Sequence, residues 1–107
     1  MTDVSPTDPT PIAIDRASGA LRLAQRTITL TGTELRLLSL LIERLGDAVS
    51  HQEIRDYVWG ENWAGGDEAL RVAVNRLRKK FEGNQRRPQI LVSVRGIGYR
   101  LIGTRQA

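Results

Sequence analysis

Twice in this chain a hydroxyl residue stands three positions ahead of a glutamate at the head of an apolar run: Thr31-Gly32-Thr33-Glu34 and Ser50-His51-Gln52-Glu53. A helix leaves its first amide groups without partners. This spacing satisfies two of them reciprocally, the hydroxyl accepting from the third residue and the carboxylate accepting from the cap. Two helix starts are therefore expected in quick succession. Leu35, Leu38, Leu41, Ile42 and Leu45 recur at helical spacing and Gly46 supplies a stop, so the first helix is expected to bury a broad apolar stripe. Ile54, Tyr57 and Val58 predict a shorter second helix that ends at Trp59-Gly60.

Beyond the glycine-rich loop GENWAGG, residues 60–66, Asp67 stands where the N-cap of a third helix is expected. At about 100° per residue, Leu70, Ala73, Val74, Leu77 and Phe81 fall on one narrow face, which marks the core side. Glu68, Val72, Asn75 and Lys79 lie opposite. Arg71 and Arg78 line one flank of that outer face, and Arg76 and Lys80 line the other. The run VNRLRKKF thus divides into a core edge, a central strip and two cationic walls.

The remaining segments read as strands. IAID from Ile12, ALRLA after Ala17-Ser18-Gly19, and TITL predict a small antiparallel sheet ahead of the first helix. Pro88 forbids continuation of the third helix, and ILVSV and YRLI predict a hairpin around Arg95-Gly96-Ile97-Gly98. Residues 1–11 hold three prolines and only one aliphatic side chain after Met1, so they are expected to form a tail or linker; residues 12–107 are expected to form one domain.

The charge is divided as sharply as the pattern. Residues 1–68 carry 6 basic and 11 acidic side chains, whereas residues 69–107 carry 10 basic and 1 acidic, Glu82. A cationic third of this kind is the footprint of a polyanion partner. The absence of cysteine excludes disulfides and thiolate metal sites. No basic start or apolar run suggests a signal peptide or a membrane span, so a cytoplasmic protein is expected.

A helix that enters a DNA major groove needs cations at its edges for phosphates and short groups between them for base edges. The third helix supplies both. Asn75 suits adenine, Val72 suits a thymine methyl, and an arginine can pair with guanine. Alone, a basic helix is more often a solvated face. Its place after two capped helices and before a hairpin tipped by Arg95 is the order of a winged helix-turn-helix, with the hairpin as a wing reaching a minor groove. The expected fold class is therefore α+β.

The stretch ALRVAVNRLRKKFEGNQRRPQILVSVRGIGYRL resembles the recognition helix and wing of OmpR/PhoB-type transcriptional regulators, and LTGTELRLLSLLIERLGDAVSHQEI is similar to that family's first two helices. The resemblance covers about residues 12–103. It implies sequence-specific binding of double-stranded promoter DNA, commonly as head-to-tail dimers on direct repeats, with a recognition helix at about residues 67–82. By the same resemblance, Arg76 approaches bases, Arg78 and Ser93 hold phosphates, Arg95 enters the minor groove at a wing around residues 95–98, and Gly96, Gly98 and Tyr99 shape that wing. The helical wheel adds Arg71, Val72, Asn75 and Lys79. The chain departs from the family pattern at Gly32, Glu68 and Arg71, which bears on the operator rather than on DNA binding. Such domains usually follow a phosphorylatable receiver, for which these residues offer no acidic pocket.

In that family the loop before the third helix can contact RNA polymerase, which here assigns a polymerase contact to Trp63; the alternative is that Trp63 folds back onto the domain. Trp59 is assigned to the core. A second function class, a winged-helix protein-interaction module using the loop 60–66, explains the basic hairpin less well. Membrane-surface binding is disfavoured because the apolar face of the third helix is needed for folding. No enzyme, cofactor or metal is expected: His51 has no identifiable partner base and reads as a surface helix residue, and Asp67-Glu68 belong to a helix start.

Overall fold

The computed structural model describes residues 10–105. Its first sheet begins with β1 (Pro11–Asp15), β2 (Ala20–Leu23) and β3 (Arg26–Thr29), paired antiparallel with Ile12 opposite Leu23 and Leu21 opposite Ile28. Alternation places Ile12, Leu21, Leu23 and Ile28 in the core while Arg22, Thr27 and Thr29 face outward. The first turn is held by Asp15, whose carbonyl accepts the Gly19 N–H at 2.8 Å and whose carboxylate accepts the Ala17 N–H at 3.0 Å.

Two corrections concern this sheet. It is not purely antiparallel, because β7 (Thr104–Arg105) returns after the hairpin and pairs parallel with β1. The first strand also begins one residue before the expected Ile12. Pro11 lies in β1, and the Thr10 carbonyl accepts the Thr104 N–H at 2.8 Å. The rest of the expected tail, residues 1–9, lies outside the described residues.

Helix α1 (Gly32–Glu43) opens on the reciprocal cap that its sequence predicts: the Thr31 hydroxyl accepts the Glu34 N–H at 3.2 Å, and Glu34 accepts the Thr31 N–H at 2.9 Å. It ends before Leu45, where Arg105 donates to the carbonyls of Ile42 and Glu43. Its buried face differs from the expected stripe. Leu37, Leu38, Leu40 and Leu41 are buried, while Leu35, Ile42 and Leu45 are half-buried. The cause is that α1 packs against β1, β6, α2 and α3, so its apolar arc is wider than one stripe.

A strand the sequence did not announce, β4 (Ala48–Ser50), runs directly into α2 (His51–Trp59). Only half of the second expected cap forms. The Ser50 hydroxyl accepts the Glu53 N–H at 3.0 Å, but the Glu53 carboxylate turns to the Arg44 guanidinium at 2.5 Å. Tyr57, expected on the apolar face of α2, is 49% exposed. Helix α3 (Glu68–Phe81) starts after Asp67 as expected, yet Asp67 does not cap it: its carboxylate pairs with Arg55 of α2 instead.

The hairpin consists of β5 (Leu91–Val94) and β6 (Gly98–Leu101), and β4 adds to β6 to give a second sheet in the order β4-β6-β5. Glu82, the one acid of the basic third, orders the link from α3. Its carboxylate accepts the N–H groups of Gln89, Ile90 and Leu91 at 2.9, 3.0 and 2.7 Å. Both sheets and all three helices share one core, in which Leu38, Leu41, Ile54, Leu70, Leu77 and Leu101 are buried.

Candidate nucleic-acid interface

Helix α3 buries Leu70, Ala73, Val74, Leu77 and Phe81, the five residues its periodicity predicts. Burying that face fixes what the other presents. Arg71, Val72, Asn75, Arg76 and Lys79 are exposed together along one side, with Val72 36% exposed at the centre. Arg71 lies 3.3 Å from Glu68 in a solvent-exposed pair, an interaction weak enough to exchange for a phosphate.

The cationic walls are less complete than the wheel suggests. Arg78 is half-buried: its Nε–H donates to the Leu91 carbonyl at 2.9 Å, a second guanidinium nitrogen donates to the Ser93 hydroxyl at 3.1 Å, and its carbon lies 5.8 Å from the Tyr99 ring centre. Arg78 and Ser93 therefore meet each other, and through them α3 is tied to the wing. Lys80 turns inward as well, donating to Glu34 at 2.6 Å and to the Thr29 carbonyl at 2.9 Å. Glu34 is 2% exposed, a buried carboxylate whose part in the α1 cap is only one of its roles. From β3, Arg26 donates to the carbonyls of Lys80 and Phe81 at 2.9 and 3.4 Å, covering the open carbonyls at the end of α3.

At the wing tip Arg95, Gly96 and Ile97 are exposed. Gly96 has φ +76°, a conformation that side chains resist, and Gly98 packs against the Val49 carbonyl with no room for a Cβ. Tyr99 is buried with 8% exposure and meets His51 edge to face at 5.5 Å, while the His51 N–H donates to the Ile97 carbonyl at 3.1 Å. His51, expected at the surface, is thus half-buried and joins the tip to the first turn of α2. Ile97, 49% exposed beside Arg95, was not singled out by the sequence; a large apolar side chain between two glycines of a hairpin was the available signal.

Trp63 folds back: its ring stacks on Trp59 with centres 5.5 Å apart and planes 21° apart, leaving it 41% exposed. Gly65 passes so near the indole that a side chain there has no space. Trp59 is half-buried against the core. Between Trp59, the start of α1 and the outer side of α3 lies an open cleft of about 390 Å³, bordered by Thr31, Thr33, Val72 and Arg76. Among the described residues no three His, Asp or Glu side chains lie together as metal ligands, and no helix is long and apolar enough to cross a membrane.

Three helices followed by a strand-supported hairpin, with the third helix exposed on its polar side, define a winged helix-turn-helix. The chain belongs to the family described as transcriptional regulatory protein, C terminal, which matches residues 25–101. It is 38% identical over 90 residues to the transcriptional regulatory protein AfsQ1 of Streptomyces coelicolor, covering 84% of this chain and 40% of that protein. The chain spans about 40% of the length of these curated relatives. Among solved structures, the DNA-binding domain of the response regulator AdeR, in complex with an intercistronic region, superposes with a TM-score of 0.71 at 28% identity. The match covers 87% of this chain and 95% of that one. The Klebsiella pneumoniae RstA DNA-binding domain, in complex with the RstA box, gives a TM-score of 0.73 at 26% identity over 84% of this chain and 89% of that one. The α+β winged-helix class expected from the sequence is the class observed.

Proposed function

We propose that this chain binds double-stranded promoter DNA as the effector domain of a two-component transcription regulator, with α3 in the major groove and the wing tip in an adjacent minor groove. The observation that carries the reading is the Arg78 tie. It joins the exposed strip Val72, Asn75, Arg76 and Lys79 to the arm bearing Arg95. A helix and an arm fixed relative to each other can meet two grooves in one register. The DNA complexes of the AdeR and RstA domains, of matching fold, support the reading.

In this arrangement Asn75 and Val72 meet base edges and Arg76 reaches inward from the flank. Arg71 and Lys79 meet phosphates, Arg95 enters the minor groove, and Gly96 lets the backbone turn there. Arg78, Ser93 and Tyr99 act first by placing the wing, with the outer nitrogen of Arg78 still able to meet a phosphate. The site lies in the cytoplasm, where promoter DNA is, and head-to-tail dimers on direct repeats are part of the proposal. Trp63, 41% exposed on its Trp59 platform, offers RNA polymerase an aromatic contact.

Selection of bound duplexes from a random pool, repeated with Asn75→Ala and Arg76→Ala, tests the assignment. Each variant is expected to relax preference at one or two base positions, at a cost of about 1–3 kcal/mol in discrimination. Absence of duplex binding by the unmodified chain even at low salt would refute the proposal.

A further inference from the structure

Lys80 begins on the same flank of α3 as Arg76, one turn further along, and on an isolated helix it would be a groove-wall cation. Instead its ammonium lies 2.6 Å from the carboxylate of Glu34, whose side chain is 3% exposed, while 33% of the Lys80 side chain remains exposed. The same Glu34 oxygen accepts the Thr31 N–H, so the acid closes the α1 cap and holds the lysine at once. The Thr29 carbonyl takes a second bond from the ammonium.

We infer that Glu34 is a specificity-determining positioning residue: it withholds Lys80 from the DNA phosphates and so limits sequence-independent affinity. This rests on the proposed DNA binding. A phosphate contact adds affinity for every sequence equally, so each cation kept out of contact widens the gap between operator and random DNA. Neutralising Glu34 leaves a partly exposed lysine without its countercharge, one turn from Arg76, held by neutral acceptors such as the Thr29 carbonyl that a phosphate can outcompete.

The test exploits the double duty of Glu34. Glutamine at this position of a cap still accepts the Thr31 N–H, so Glu34→Gln removes the negative charge that holds Lys80 while keeping the helix start. Binding to a mixed-sequence duplex is measured against salt for the unmodified chain, Glu34→Gln, Lys80→Met and the double variant. Glu34→Gln is expected to steepen the log-log slope by about 0.9, losing about eightfold more affinity than the unmodified chain over a tenfold rise in salt. Lys80→Met is expected to leave the slope unchanged, and the double variant to restore it. A loss of stability alone moves no slope. An unchanged slope in Glu34→Gln overturns the inference, as does a slope about 0.9 shallower in Lys80→Met, which would place Lys80 on a phosphate already. If Glu34→Gln does not fold, the Lys80→Met slope alone decides by the same criterion. Failure of the unmodified chain to bind the duplex at low salt removes the DNA reading itself, and this inference with it.

Discussion

Arg78 is the side chain whose removal best separates a structural tie from a phosphate clamp. It makes a half-buried bond to the Leu91 carbonyl at 2.9 Å, a more exposed one to Ser93 at 3.1 Å, and a contact 5.8 Å from the Tyr99 ring centre. The first bond is worth about 1 kcal/mol net, and the solvent-exposed bond and ring contact about 0.5 kcal/mol each. Arg78→Ala should therefore destabilise the domain by about 2 kcal/mol, or about 10 °C in Tm for a domain of this size. Urea unfolding followed by tryptophan fluorescence measures this directly. Arg78→Lys should recover little of it, because an ammonium cannot donate to Leu91 and Ser93 in the fork geometry of a guanidinium. Binding to operator and random duplex should weaken together, since a displaced wing serves neither. If Arg78→Lys unfolds at the same urea concentration as the unmodified chain, the tie is not what joins wing to helix.

Gly98→Ala would drive a methyl into the Val49 carbonyl, where backbone rather than a flexible side chain must yield. A loss of about 2–3 kcal/mol in chemical denaturation is expected, and unaltered stability would mean that β4 and β6 lie further apart. Trp63→Ala should cost only about 1 kcal/mol, the worth of one exposed aromatic stack, with duplex binding retained and the near-ultraviolet dichroism of the Trp59 pair lost; reduced duplex affinity would place the loop on DNA. The carboxyl of Asp15 titrates below its ordinary range because the Ser18 hydroxyl, then the Ser18 and Ala17 amides, bond to it. A carboxyl with a folded pKa below its unfolded value stabilises fully above the unfolded value and loses that contribution as pH falls through the folded one. An NMR midpoint for Asp15 equal to that of an unstructured aspartate would contradict this turn.

What the sequence revealed and what it hid divide along the distance over which an interaction acts. The Thr31–Glu34 cap and the buried face of α3 depend on residues within a turn or two of one another, and both form as expected. Asp67 has the right position and the wrong partner, because Arg55 competes for its carboxylate from another helix. β4 and β7 escaped notice for the same reason: three and two residues carry no periodicity, and each exists only through pairing with a distant strand. Leu37 and Leu40 are buried because four neighbours surround α1, which no single-face pattern encodes. In the candidate site, the exposed strip followed from the helix alone, whereas the destinations of Arg78 and Lys80 required the wing and α1 to be in place.

Those destinations change what the basic third of the chain can do. Of its 10 cations, Arg78, Lys80 and Arg105 are engaged by Leu91 and Ser93, by Glu34 and Thr29, and by the end of α1 respectively. Net charge by sequence counts these with the rest, but a polyanion meets only side chains free to reach it. The salt dependence of duplex binding should accordingly follow the cations left exposed on the DNA-facing side, Arg71, Arg76, Lys79 and Arg95 among them, plus whatever Arg78 spares, rather than the full cationic count. Arg71 and Lys79 are the two placed on phosphates, so losing either should make the slope shallower by about 0.9. Arg105→Ala should instead leave the slope unaltered and loosen the end of α1. Such a division links fold to recognition: the same residue type closes helix ends where carbonyls or a buried carboxylate await it, and stays open to a polyanion where the fold leaves it exposed.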